Sequence, residues 1–244
     1  LRNFLGDFTE EEIDYCVKGA YTGSFDNEQP APIALLGENA NLLELWHGPT
    51  CAFKDLALQL LPYLLREGSN IIGIKEEILI LVATSGDTGK AALEGFKDAD
   101  GIKIMVFYPE GGVSRIQQLQ MLTQEGSNVN VTAVRGNFDD AQTGVKNIFA
   151  ACRDKQLPFR LSSANSINFG RLVPQIVYYF SAYADLLADG TVRAYGDNSE
   201  GQCDVSGWKL FNSIDTLEQE REEARLQALR KAEEARLQAL RKAE

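Results

Sequence analysis

The sequence contains a single histidine, and its four cysteines lie far apart without any CxxC pair. A zinc site built from several histidines is therefore excluded, and the paired thiolates of a structural zinc site are also missing, so we expect no metal. Isolated cysteines in an α/β chain are typical of the reducing cytosol, which predicts a cytoplasmic protein.

Positive charge is also scarce, since 24 Lys and Arg residues face 35 Asp and Glu residues, a net charge of −11. This excess disfavours nucleic acid and anionic membranes as partners. No apolar run approaches the ~20 residues that a membrane-spanning helix needs. A small anionic ligand remains compatible with the sequence, because local backbone amides and one or two cations suffice to hold it.

Strand and helix patterns alternate along most of the chain. The predicted strands are residues 78–83, 102–108, 129–134 and 161–163. The predicted helices are residues 9–20, 55–68, 88–97, 114–125, 139–155 and 169–187. Continuous apolar strands that alternate with helices predict an α/β fold, with a mostly parallel sheet flanked by helices on both faces. Ligands bind such sheets at the carboxyl ends of the strands.

Capping and breaking residues set the predicted helix boundaries. Thr9 and Ser114 are expected N-caps of their helices, and Asp139 or Asp140 caps a third. Gly68 is the expected end of the helix that begins at residue 55, and Pro62 is expected to kink it. Pro174 is expected to break the last helix of the α/β region.

The pattern changes after residue 190, which divides the chain into four parts. We predict an N-terminal segment (1–50), a lysine-bearing α/β domain (51–190), an irregular linker (191–216) and a helix (217–244). The helix carries EARLQALRKAE twice, letter for letter, with leucines in one stripe. We interpret it as a helix without a catalytic part, or else as a segment for self-association.

Three segments contain candidate functional residues. Residues 84–89 read TSGDTG between a buried strand and a helix, so their amides and hydroxyls could hold an anion; the alternative is a turn with a helix cap. Lys54 lies among apolar neighbours at a helix start, where a lowered pKa would suit an imine with an aldehyde cofactor; the alternative is a surface lysine. Residues 162–168 and Arg171 offer amides, hydroxyls and a guanidinium for a phosphate or carboxylate; the alternative is a polar capping loop.

Taken together, three segments in this order and spacing resemble threonine synthases: residues 45–55 (LWHGPTCAFKD), 83–89 (ATSGDTG) and 162–168 (SSANSIN). The resemblance covers about residues 1–190. It implies fold type II of the pyridoxal-phosphate enzymes, and a lyase that converts O-phospho-L-homoserine and water into L-threonine and phosphate, a step of threonine biosynthesis.

The resemblance also implies roles for individual residues. Lys54 matches the catalytic lysine, which binds pyridoxal 5'-phosphate and then shuttles protons. Asp87 and Asn165 are expected beside the cofactor, and His47 lies in the matched lysine loop. The residues expected to bind substrate are Thr84, Ser85, Gly86, Asp87, Thr88, Ser163, Asn165, Ser166, Asn168 and Arg171.

The sequence departs from the family after residue 190, where the family's Gly-Asn-Phe-Gly loop for the cofactor phosphate, and a later Ser or Thr for the ring nitrogen, are not found. We therefore expect this chain alone to bind the cofactor weakly and to turn over little. Two alternatives stay open: a related pyridoxal-phosphate-dependent hydroxy-amino-acid dehydratase, and a non-catalytic fragment or fusion whose helical tail drives association.

Overall fold

The computed structural model describes residues 5–36 and 41–188. The chain begins with helix α1 (Glu10–Tyr21), and Thr9 is its N-cap as the sequence predicts. The Thr9 hydroxyl accepts from the Glu12 amide, while the Glu12 carboxylate accepts from the Thr9 amide, so two free amides of the helix start are satisfied. Strands β1 (Ile33–Leu35) and β2 (Asn41–Leu43) form a small antiparallel pair that the sequence did not predict.

The helix predicted from residue 55 is two helices, α2 (Asp55–Leu58) and α3 (Leu61–Ile72). Pro62 lies in the first turn of α3, where a proline costs no hydrogen bond, so it marks a helix start rather than a kink. The expected end at Gly68 is wrong. The helix ends before Gly73, whose left-handed backbone (φ 72°) supplies the terminating conformation.

A four-stranded parallel sheet forms the centre of the fold, with strand order β5-β4-β3-β6. Its strands are β3 (Glu77–Ala83), β4 (Ile102–Pro109), β5 (Val129–Val134) and β6 (Phe159–Ser162). The helices between and after them are α4 (Asp87–Phe96), α5 (Arg115–Leu122), α6 (Phe138–Cys152) and α7 (Phe169–Ala188). The prediction of a mostly parallel α/β sheet is confirmed.

Helices cover both faces of this sheet. On one face, apolar side chains of β3 and β4 pack with α2, α3 and α4 around the fully buried Phe96. On the other face, Leu81 and Ala83 pack against α6 through Ala141 and Val145. Burial on both faces explains the continuous apolar letters of β3 after Glu77, whereas β4 alternates between buried residues and more exposed ones such as Lys103.

Several boundaries differ from the prediction for local reasons. Helix α6 begins one residue early because Asn137 is its N-cap, and Asp140 completes the capping box. Helix α5 begins after Ser114 as predicted but ends at Leu122, three residues early. Helix α7 runs through the buried Pro174 without the expected break, and the helix as a whole packs on α2 and α3.

Residues Leu1–Thr191 form one compact unit. The predicted linker (191–216) and repeat helix (217–244) lie outside the described residues, and the four-part division of the chain stays a prediction. Among residues 5–36 and 41–188, no helix is both long and apolar enough to span a membrane.

Candidate functional site

The side chain of Asp55 fixes the conformation of the loop that carries Lys54. This buried carboxylate accepts hydrogen bonds from the Thr50 amide (2.9 Å), the Thr50 hydroxyl (2.6 Å) and the Ala52 amide (3.3 Å). Burial raises the pKa of Asp55, and the three donated hydrogen bonds oppose that rise. Gly48 is required here because a Cβ atom on it would lie 2.5 Å from the Cβ atom of Asp55.

The side chain of Lys54 leads from this loop to the turn at residues 84–89. Its Nζ atom lies 3.8 Å from Oδ2 of Asp87 and 4.0 Å from the ring centroid of Phe53. Burial lowers the pKa of Lys54, the Asp87 carboxylate raises it, and the charges of Arg171 and Lys90 lower it further, so the net shift is downward. A partly buried amine with a lowered pKa is the arrangement that imine-forming lysines need.

The turn after β3 is organised by the buried Thr84. Its hydroxyl oxygen accepts from the amides of Gly86 (2.9 Å) and Gly89 (2.8 Å). Two amides that the sequence assigned to an anion are therefore used inside the turn. The amides of Asp87 and Thr88, in the first turn of α4, have no acceptor within the helix, so the anion-binding capacity of the turn depends on them and on the exposed Ser85.

Asp87 lies between two lysines. Its Oδ1 atom accepts a hydrogen bond from Nε2 of Gln117 (2.8 Å) and lies 3.4 Å from Nζ of Lys90, whereas its Oδ2 atom faces Lys54. Burial raises the pKa of Asp87, but the Gln117 hydrogen bond and the charges of Lys90 and Lys54 outweigh burial and lower it. Sequence reasoning missed Lys90 and Gln117, although a lysine three residues after an aspartate on a helix is a recognisable signal.

The loop after β6 uses most of its polar side chains to attach itself to β3. The Asn165 amide group accepts from the Ala83 amide (3.1 Å) and donates to the Ala83 carbonyl (2.8 Å). The Ser163 hydroxyl donates to the Leu81 carbonyl (2.9 Å). Asn168 closes the loop by donating to the Ser163 carbonyl (2.8 Å). Of the predicted substrate-binding residues in this loop, Ser166 is the exposed one.

Arg171 is 3% exposed, and its Nε atom has no hydrogen-bond partner within the described part of the chain. Burial lowers its pKa, and the nearby Tyr178 raises it. A buried guanidinium nitrogen without an acceptor is costly, and it would be satisfied by an anionic ligand. Since the charge of Arg171 also lowers the pKa of Lys54, the two groups belong to one electrostatic neighbourhood.

A cavity of about 710 Å³ lies at the carboxyl ends of β3 and β6, bounded by α6. Thr84, Ser85 and Thr88 line it from one side, and Ser166 and Asn168 from another. Lys54 and Asp87 are not among its lining residues. The structure therefore brings the two polar loops together around one cavity, while Lys54 faces Asp87 of the same turn without lining that cavity.

His47, the single histidine of the chain, is held between two carboxylates. Its Nδ1 atom lies 2.7 Å from Asp26 and its Nε2 atom 2.8 Å from Glu44. The hydrogen bonds to Glu44 and Asp26 raise its pKa. Both ring nitrogens are engaged, so His47 acts here as a link between the N-terminal segment and the lysine loop.

The chain is similar to threonine synthases in both sequence and structure. It is 45% identical to the threonine synthase of Pseudomonas aeruginosa over 188 residues, which are 76% of this chain and 39% of that protein. It is 40% identical over 196 residues to human threonine synthase-like 1, covering 76% of this chain and 26% of the relative. No protein-family model matches it.

Among solved structures, the pyridoxal-phosphate-bound threonine synthase from Brucella melitensis matches with a TM-score of 0.67 and 40% identity. The match covers 76% of this chain and 39% of the Brucella chain. The present chain thus spans two fifths or less of the length of each of these three relatives.

Proposed function

This chain is homologous to threonine synthases over about three quarters of its length, and we propose that it carries the catalytic lysine of a pyridoxal-phosphate-dependent lyase. The proposed reaction converts O-phospho-L-homoserine and water into L-threonine and phosphate. The observation that carries the proposal is the amine of Lys54, partly buried and 3.8 Å from Asp87 at the carboxyl edge of the parallel sheet.

The residues present fit the aldehyde end of the cofactor. Lys54 supplies a primary amine with a lowered pKa, and the loop beneath it is held rigid by the buried Asp55. Pyridoxal phosphate, when bound, supplies an electron sink for the negative charge that develops on the substrate carbons. Lys54 would hold the cofactor at rest.

During the proposed reaction Lys54 would accept the proton from the α-carbon, release it again, and only then accept one from the β-carbon, because its amine must be neutral at the start of each transfer. The adjacent Asp87 carboxylate stabilises the ammonium that results, because opposite charges at 3.8 Å attract strongly in a partly buried site. The pair therefore combines a lowered pKa with a nearby counter-charge, the two properties that a proton shuttle needs.

Anionic groups of the substrate are proposed to bind in the cavity beside the turn. Thr88, Ser85 and Ser166 line this cavity, and the Thr88 amide with the hydroxyls of Ser85 and Ser166 can donate to a carboxylate or a departing phosphate. The positively charged Arg171 lies close enough to affect Lys54 electrostatically and has one unsatisfied donor. Donors aimed at one cavity explain how an acidic chain could hold an anionic substrate.

We also propose that the protein works in the cytoplasm without nucleic acid or membrane partners, supported by the free state of the three cysteines within residues 5–36 and 41–188 and by the net charge of −11. Self-association through the repeat helix is a further proposal. It predicts that the chain elutes as a larger species in gel filtration than a variant lacking residues 217–244. Equal association states for the two proteins would contradict it.

The central test is covalent attachment of the cofactor. Purified chain is mixed with pyridoxal phosphate, reduced with borohydride and digested, and the modified lysines are mapped by mass spectrometry. We expect saturable labelling of Lys54, absent from Lys54→Ala and retained in the matched control Lys97→Ala, which removes an exposed lysine. Labelling spread over exposed lysines, with none preferred at Lys54, would refute the proposal.

A second measurement separates the reaction from its nearest alternative. Phosphate release from O-phospho-L-homoserine is expected, at a low rate for this chain, and it should vanish in Lys54→Ala. Ammonia release from threonine or serine would instead identify the hydroxy-amino-acid dehydratase. Labelling of Lys54 without either product would favour a non-catalytic fragment that still binds the cofactor.

A further inference from the structure

A second lysine, Lys90, faces the same carboxylate as Lys54, and the proposed reaction gives it no role. Lys90, in the first turns of α4, is only 8% exposed. Its Nζ atom donates to the Thr50 carbonyl (2.9 Å) and lies 3.4 Å from Oδ1 of Asp87. Burying a lysine costs free energy unless its amine is paired. These two contacts pair the amine of Lys90, which leaves open why a lysine is buried at this position.

Lys90 contacts two residues that surround Lys54, Thr50 and Asp87. Thr50 belongs to the loop that carries Lys54, and its amide and hydroxyl already donate to Asp55. Asp87 is the carboxylate that faces the Lys54 amine. Lys90 therefore binds the loop through the Thr50 carbonyl oxygen. Through its contact with Oδ1 of Asp87, it also competes with Lys54 for that carboxylate.

The charges around Lys54 are unbalanced. From α4, Asp87 contributes one negative charge and Lys90 one positive charge, and from α7 Arg171 contributes another positive charge. From its own loop, the nearby Asp55 directs its carboxylate at the Thr50 and Ala52 donors. One carboxylate, that of Asp87, thus serves two lysine amines.

We propose that Lys90 is a positioning residue for Lys54: by holding one oxygen of Asp87 and the Thr50 carbonyl, it favours the neutral, reactive form of the Lys54 amine. The role rests on the proposed function, since a neutral amine is what cofactor attachment and proton transfer require. Two effects act in the same direction. The positive charge of Lys90 repels a protonated Lys54, and its contact with Oδ1 weakens the hold of Asp87 on Lys54.

The test measures the Lys54 amine directly, without cofactor. Competitive labelling with acetic anhydride at a series of pH values, read out peptide by peptide, gives the midpoint at which Lys54 becomes reactive. Lys90→Gln keeps a donor for Thr50 but removes the charge. We expect its Lys54 midpoint to rise, so that labelling below the midpoint falls roughly threefold to tenfold, because one pKa unit changes the neutral fraction about tenfold.

Two matched variants separate charge from packing. Lys90→Arg keeps the positive charge and should retain a midpoint close to that of the unmodified chain. Lys97→Gln removes an equal charge from an exposed position at the end of the same helix and should leave Lys54 unchanged. If Lys90→Gln does not fold, Lys90→Met fills the same space without charge and replaces it.

An unchanged Lys54 midpoint in a folded Lys90→Gln or Lys90→Met variant would overturn the inference, as would an equal shift in Lys97→Gln. These outcomes are independent of the proposed function. If pyridoxal phosphate attaches to Lys54 but the midpoint ignores Lys90, only the positioning role fails. If the midpoint responds to Lys90 but the cofactor never attaches, the proposed function fails and the coupling between the two lysines stands.

Discussion

The loop after β3 and the loop after β6 lie side by side at the carboxyl edge of the sheet, and both are rich in Ser, Thr and Asn or Asp. In the β6 loop, Ser163, Asn165 and Asn168 donate to backbone carbonyls. In the β3 loop, the Thr84 hydroxyl oxygen accepts from two backbone amides, but Asp87 remains between two lysine amines. One loop is mainly scaffold, and the other presents charge.

The difference shows that a polar side chain near a cavity is available to a ligand only if it is not already hydrogen-bonded to the backbone. Asn165 lines the cavity, yet its amide group binds both the N–H and the carbonyl of Ala83. Its predicted contact with cofactor and substrate therefore competes with a structural task. Asp87 has no such task, since its partners are side chains.

The largest effect on stability is expected when Asp55, which anchors the lysine loop, is replaced. Asp55→Ala leaves three buried donors of Thr50 and Ala52 without an acceptor. We expect a loss of about 3 kcal/mol in unfolding free energy, because each unsatisfied buried donor costs about 1–3 kcal/mol and the loop can relax in part. Urea denaturation measures it, with the exposed Glu28→Ala as control. A loss below ~1 kcal/mol would mean that Asp55 does not anchor the loop.

The next prediction tests whether the β6 loop is scaffold. Asn165→Ala removes both hydrogen bonds to Ala83 and should cost about 2 kcal/mol, which corresponds to a melting temperature lower by roughly 4–8 °C. The neighbouring exposed Ser166→Ala should change stability by less than ~0.5 kcal/mol. If the two variants had equal thermal stability, the interpretation of the β6 loop as a scaffold would be wrong.

The smallest effect on stability, with a clear effect on reactivity, is expected for Asp87→Asn. The Asp87 carboxylate raises the pKa of Lys54, so its removal should lower that pKa further. Lys54 should then be labelled roughly threefold to tenfold faster below its midpoint, the opposite direction to Lys90→Gln. Competitive labelling of Lys54 measures it, and a midpoint that rises would contradict the charge arrangement described for this site.

Much of the fold could be predicted because its signals are local. Apolar runs marked β3, β4 and β5, and the Thr9 and Ser114 caps were read correctly since a cap depends on neighbours three residues away. The β1–β2 pair was missed because each strand is three residues long. The unbroken α7 was missed because packing against α2 and α3, rather than local propensity, decides whether a helix tolerates Pro174.

The candidate site was predictable in part. Lys54, the 84–89 turn and the 162–168 loop were found from letters and from the resemblance they carry, and the structure places all three at one edge of the sheet. Gln117 was missed because it meets Asp87 only once α4 and α5 are packed together, whereas Lys90 was missed although its spacing of three residues from Asp87 on one helix is a local signal. The assigned roles of these residues stay predictions.

The sequence by itself determined the parallel α/β class and the polar composition of the two loops, because periodicity and residue type are properties of short stretches; Lys54 as the catalytic lysine stays a prediction. Only the tertiary structure decided which polar groups are free. Hydrogen bonds between residues 30 to 82 positions apart, such as Asp87 with Gln117 and Asn165 with Ala83, exist only when β3, β6, α4 and α5 are assembled. The pKa of Lys54 likewise depends on burial and on the charges of Asp87, Arg171 and Lys90, so its chemistry belongs to the fold rather than to its position in the chain.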